Sequence, residues 1–155
     1  MGCQQMDAVS YPHLTVIAFF EKHLAPVRVL INSKPLPQQF KVQWTPTLVM
    51  LDAEGEEHHR TVGFLPPDEL IPSLTLGIAK SHLDHEQHAL ATNVLEQLLA
   101  EYPKSDMAPE ATYYMGVSRY KDTNDAGALK QAFEALQANY PASEWAKRAS
   151  VYRSI

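Results

Sequence analysis

Val42-Gln43-Trp44-Thr45-Pro46-Thr47-Leu48-Val49-Met50-Leu51-Asp52-Ala53-Glu54-Gly55 is the stretch on which the fold turns. After Pro46, the apolar run Leu48-Val49-Met50-Leu51 reads as a strand. Asp52-Ala53-Glu54-Gly55 reads as a turn because Gly55 is free to take positive φ, and Arg60-Thr61-Val62-Gly63-Phe64 reads as the returning strand. The pattern predicts an antiparallel hairpin.

Upstream of it, Leu14, Ile17, Phe20 and Leu24 recur at spacings of three, three and four. That draws one apolar stripe and predicts a helix over 12–24, ended by Pro26. Val27-Arg28-Val29-Leu30-Ile31 is a short β-branched run expected to form a buried strand. Pro35 and Pro37 limit the next stretch to a short helix over 38–41. Downstream of Pro66-Pro67 the texture changes to long, proline-poor helical segments, predicted over 67–82, 86–101, 107–120, 126–139 and 143–155. The expected division is therefore an α/β domain over 1–66 and an all-α domain over 67–155.

Charge and length exclude several classes of function. The 155 residues carry 13 basic and 18 acidic side chains, a formal charge of −5 without any Lys/Arg cluster, so a phosphate-backbone partner is not expected. No apolar run approaches the roughly 18 residues a spanning helix needs, and residues 1–7 hold neither a basic leader nor an apolar segment. No nucleic-acid or membrane partner is expected, and the location expected is cytoplasmic. The single cysteine, Cys3, excludes an internal disulfide and fits a reducing compartment.

Five islands occur in a telling order: Cys3-Gln4-Gln5-Met6-Asp7, Tyr11-Pro12, Pro26-Val27-Arg28-Val29, Val42 to Leu48, and Gly63-Phe64-Leu65-Pro66-Pro67-Asp68-Glu69. Over residues 1 to about 72 the chain resembles the thioredoxin-like family, with the element order of that fold and its first strand absent. The resemblance implies that Pro46 is a cis-proline beside the active cysteines. It implies too that Thr45, with Trp44 before it, lies at the edge where the substrate strand docks. The family commonly reads Cys-x-Gly-Cys-x-x-Met-Asp, and Gly2-Cys3-Gln4-Gln5-Met6-Asp7 matches it from the third position onward. Cys3 would then hold the second, resolving position at the start of a helix whose dipole favours a thiolate. The nucleophile and the first strand would precede Met1, so the expectation is a truncated or mis-started chain.

The second half repeats itself. Aligning 95–114 with 133–152 pairs Glu96 with Glu134, Leu98 with Leu136, Ala100 with Ala138, Tyr102 with Tyr140 and Pro103 with Pro141. It then pairs Ser105 with Ser143, Ala108 with Ala146, Ala111 with Ala149 and Tyr114 with Tyr152. Chance would give about one or two such identities. The unit is a helix, a Tyr-Pro-x-Ser break and a second helix with small packing residues, which resembles the tetratricopeptide family. The regularly spaced aromatics are expected to pack between helices.

Dithiol exchange needs a second cysteine three residues from the first, and this chain has one. The expected function is a thioredoxin-like thiol–disulfide oxidoreductase module that is inactive as a two-cysteine enzyme in this form, its activity depending on an upstream cysteine. The alternative is a non-enzymatic adaptor that binds protein or peptide clients through the helical repeats. Self-association through the sheet edge left by the missing strand is a further expectation. His82, His85 and His88 invite a metal reading, but the third ligand lies about 120° around a helix from the first, and the spacing straddles a turn. No metal site is expected there, His58-His59 is assigned no role, and no cofactor is expected. No phosphate-binding glycine loop and no Gly-x-Ser-x-Gly elbow is present.

Overall fold

The computed structural model describes residues 1–155, and no helix in it is long and apolar enough to cross a membrane. It holds a small two-stranded sheet with helices in the N-terminal region, followed by a helical repeat region. The elements are α1 (Gly2–Gln5), a π-helical turn (Met6–Ser10), α2 (Leu14–His23), α3 (Leu36–Gln39), β1 (Thr47–Leu51) and β2 (Glu57–Val62). They continue with α4 (Pro67–Asp84), α5 (His88–Glu101), α6 (Ala108–Thr123), α7 (Gly127–Asn139), α8 (Glu144–Arg148) and a 3₁₀ segment (Ala149–Ser154). Two compact units result, Met1–Val49 with Arg60–Ile71 and Met50–His59 with Pro72–Ile155.

The hairpin forms as its sequence dictates, with the returning strand starting three residues earlier than expected. Asp52 organises the turn: its Oδ1 accepts from the Glu54 and Glu56 N–H groups at 3.0 and 2.8 Å, and Gly55 takes φ +86°. These bonds let pairing begin at Glu57. Gly63 ends it at φ +100°, and its N–H donates to Pro46 O at 2.8 Å.

Two expectations for the first unit are corrected. Residues 27–31 form no strand: the sheet contains only β1 and β2, and Val27, Leu30 and Ile31 are largely exposed. A β-branched run becomes a strand only when a neighbouring strand satisfies its ladder, and none pairs with it here. The stripe along α2 also faces differently. Leu14 is 80% exposed and Ile17 39%, whereas Val16 is fully buried. Leu14, Val16, Ile17, Phe19 and Phe20 spread apolar surface over much of that helix, so spacing alone does not select the buried side.

In the second unit the repeat is reproduced down to single hydrogen bonds. Tyr102 ends α5 at φ −128°, ψ 53° and Tyr140 ends α7 at φ −137°, ψ 49°. Their N–H groups reach Leu98 O and Leu136 O at 2.8 and 2.9 Å. The following serines match in their backbone bonds, Ser105 N to Tyr102 O at 3.1 Å and Ser143 N to Tyr140 O at 3.0 Å, but not in their side chains. Ser143 Oγ caps α8 by accepting from Ala146 N at 3.1 Å, whereas Ser105 Oγ accepts from Met107 N at 3.0 Å, one register position earlier and ahead of α6. Small residues permit close packing, most tightly at Gly116, where an added Cβ would lie 2.3 Å from Ala132 Cβ. Leu76, Ala79, Leu95, Leu98 and Ala111 form one buried cluster, and Leu136, Ala146 and Ala149 form another under Tyr113, Phe133, Tyr140, Trp145 and Tyr152. The repeats diverge at their ends: where α6 runs 16 residues, its counterpart is the five-residue α8 continued as 3₁₀ helix, which corrects the single closing helix expected over 143–155.

Candidate functional site

The segment that opens the chain gathers the other islands of the first unit around itself. Gly2, in the first turn of α1, lies against Pro46 so closely that an added Cβ would stand 2.8 Å from Pro46 Cδ and 3.8 Å from Thr45 O. Position 2 therefore tolerates no side chain unless the proline ring moves. Pro46 is buried, and the Thr45–Pro46 peptide bond is cis. Cys3 follows Gly2 as a free, half-buried thiol.

The next residues anchor this arrangement. Met6 is fully buried and its Sδ accepts the Leu65 N–H at 3.4 Å, while the buried Ser10 hydroxyl donates to Leu65 O. Asp7 takes both Nη groups of Arg28 at 2.9 and 2.8 Å, a bidentate pair open to solvent. Tyr11 is held above its usual phenol value, chiefly by burial and then by the Asp7 carboxylate. On the other side of Pro46, Trp44 is 74% exposed and Thr45 is exposed, with no hydrogen bond within the chain from the Thr45 backbone. Thr47 Oγ1 donates to Trp44 O at 2.6 Å and fixes the bend before β1.

The second unit presents a cleft of about 680 Å³ lined by Leu99, Pro103, Lys104, Thr112, Met115, Ala135, Asn139 and Tyr140. Two of these residues are joined, the Tyr140 hydroxyl donating to Pro103 O at 2.8 Å. The aromatics expected to pack do so: Tyr113 lies 5.1 Å from Trp145 and its hydroxyl is 3.0 Å from that of Tyr152. Burial and this bond hold the Tyr152 phenol up at about 12.

Histidine chemistry falls where sequence spacing did not place it. His82, His85 and His88 make separate contacts, His82 Nδ1 with Gln87 Oε1 and His85 Nδ1 with Ser81 O, while His88 Nδ1 is buried without a partner. His58, to which the sequence assigned no role, has a buried side chain between the carboxylates of Asp84 and Asp52 at 2.6 and 2.9 Å. These bonds raise its pKa, the one to Asp84 most strongly, and the bond to His58 in turn lowers that of Asp52. Its neighbour His59 is pushed down to about 4 by burial and then by Lys80, with Nε2 3.1 Å from the buried Ser73 hydroxyl. Adjacent strand residues face opposite ways, which gives two neighbouring histidines opposite environments. The carboxylates that meet His58 were not visible in sequence.

Comparison with known families agrees with this architecture. Residues 3–77 match the thioredoxin-like domain model, and 74–105 and 110–143 match the tetratricopeptide repeat model. No curated protein matches the chain, and no solved structure does.

Proposed function

Because the chain carries a thioredoxin-like domain followed by tetratricopeptide repeats, we propose that it is a client-binding module that presents one thiol, Cys3, beside the Thr45–Pro46 edge. The close approach of Gly2 to Pro46 is the observation that carries this reading. It puts the residue before the thiol against the proline, next to an exposed Thr45 whose free backbone groups suit pairing with an extended peptide. Attack by the Cys3 thiolate on a client disulfide forms the Cys3–client bond and releases the client's other sulfur as a thiolate. An external thiol must break that bond, because the chain offers no second cysteine. Pro46 and Thr45 act as positioning groups, and Trp44 supplies apolar surface to the bound peptide. A reducing compartment such as the cytoplasm suits such a thiol.

The repeats favour a second reading, a non-enzymatic adaptor in which the cleft along Leu99, Met115 and Tyr140 takes the client and the thiol is incidental. Incubation with insulin in the absence of added thiol separates the two. The first reading predicts a mixed disulfide at Cys3, absent from Cys3→Ser and released by dithiothreitol. Failure to recover any adduct favours the adaptor.

Self-association belongs to the same proposal. Val27, Leu30 and Ile31 are exposed and unladdered, and a second copy offering the same segment would pair with them. Light scattering across a concentration series should then show a growing dimer fraction, and a monomer throughout would remove this element.

A further inference from the structure

We infer that Asp52, His58 and His85, with Asp84 behind His58, form a binding site for a divalent transition-metal ion of the zinc class. The three ligating atoms lie within 4.8 Å of one another, and all four residues belong to the second unit. Asp52 Oδ2 is 2.9 Å from His58 Nε2 and 3.4 Å from His85 Nε2. Ligands about 2.0–2.1 Å from a tetrahedral ion stand about 3.3 Å apart, so these edges need little adjustment.

The surroundings prepare each ligand. Asp52 Oδ1 is occupied by the Glu54 and Glu56 N–H groups, which leaves Oδ2 to face the histidines. His85 Nδ1 donates to Ser81 O at 2.7 Å, so the neutral ring carries its lone pair on Nε2, toward Asp52. Two acceptors then face each other across 3.4 Å, an arrangement relieved by a cation between them. His58 Nδ1 donates to Asp84 Oδ2 at 2.6 Å, the carboxylate–histidine pairing that orients metal-bound imidazoles. The ion would replace the proton that His58 Nε2 shares with Asp52, and two nitrogens with one carboxylate suit zinc better than calcium or magnesium. A fourth position stays open to water, because His85 and Asp84 are solvent-exposed. Such an ion would pin the Asp52 turn to the C-terminal end of α4.

The test is calorimetric titration of Zn²⁺ into the untagged full chain carrying Cys3→Ser, which removes the competing thiolate. One ion per chain is expected. His85→Ala, at an exposed position that leaves the fold intact, should weaken binding by at least about 10-fold, and Asp84→Asn by about 10-fold. His82→Ala, a nearby histidine outside the cluster, should leave it unchanged. Added Zn²⁺ should also raise the thermal midpoint of the Cys3→Ser chain but not that of its His85→Ala derivative. Equal binding in His85→Ala and His82→Ala, or no saturable binding, overturns the site.

Discussion

The first unit and the repeat unit answer the same problem, covering apolar surface, with unequal success. Four of the buried apolar residues, Met6, Val16, Leu70 and Ile71, lie in the first unit, against fourteen in the second. Exposed large apolar side chains show the reverse, from Val9, Leu14 and Ile17 through Val27, Leu30 and Ile31 in the first unit. The difference follows from how each secondary structure meets its backbone needs. A helix satisfies its own hydrogen bonds, and each repeat buries its face on the next helix in sequence. A strand depends on a neighbour, and residues 27–31 have none.

Core truncation probes this contrast most strongly. Leu136→Ala, at a fully buried repeat position, should cost about 2–5 kcal/mol. Leu30→Ala, at a 64% exposed position, should change stability by less than about 0.5 kcal/mol. Urea unfolding of both variants checks this, and equal losses would mean that Leu30 is covered in solution, as in a dimer.

The adjacent histidines of β2 predict a stability optimum. His59, pushed down to about 4, contributes fully above its ordinary 6.5 and loses that contribution as the pH falls toward 4. The gap corresponds to about 3 kcal/mol at most. His58, raised by Asp84 and Asp52, contributes fully below 6.5 and loses its share as the pH rises through the raised value. Thermal midpoints across this range should therefore peak near 6.5. His59→Gln should flatten the acid limb, and His58→Gln the alkaline one.

Gly2→Ala should cost about 1–3 kcal/mol by pressing a methyl group against Pro46, and should slow alkylation of Cys3 if the segment shifts. A smaller effect is expected at the matched breaks of the repeat unit. Ser143→Ala should cost about 1 kcal/mol through loss of the Ala146 N–H acceptor. Ser105→Ala, which removes a bond to Met107 ahead of α6 rather than a helix cap, should cost less in the same measurement.

Much of the repeat was legible because its signals are local: Leu98 and Leu136, Ala108 and Ala146 are buried at one offset, and the two Tyr-Pro-x-Ser breaks end their helices alike. The hairpin was legible too, through Pro46, Asp52 and Gly55. Legibility failed where partners are distant in sequence. Apolar composition at 27–31 carried the strand signal but not the missing ladder. The His82, His85, His88 spacing pointed along the wrong segment, since His85 meets His58 and Asp52 from the hairpin. The islands around Cys3 were identified as a set, while their physical links, Asp7 to Arg28 and Met6 to Leu65, emerge only in three dimensions.

The most direct measurement is the rate at which Cys3 forms a mixed disulfide with an unfolded peptide disulfide, followed by intact mass in the unaltered chain and in Pro46→Ala. Positioning of the client by the Thr45–Pro46 edge predicts adduct at Cys3, slowed about 10-fold in the variant while the near-ultraviolet signal of the repeat tyrosines is unchanged. Equal rates in the two proteins, or no adduct in either, would contradict the account.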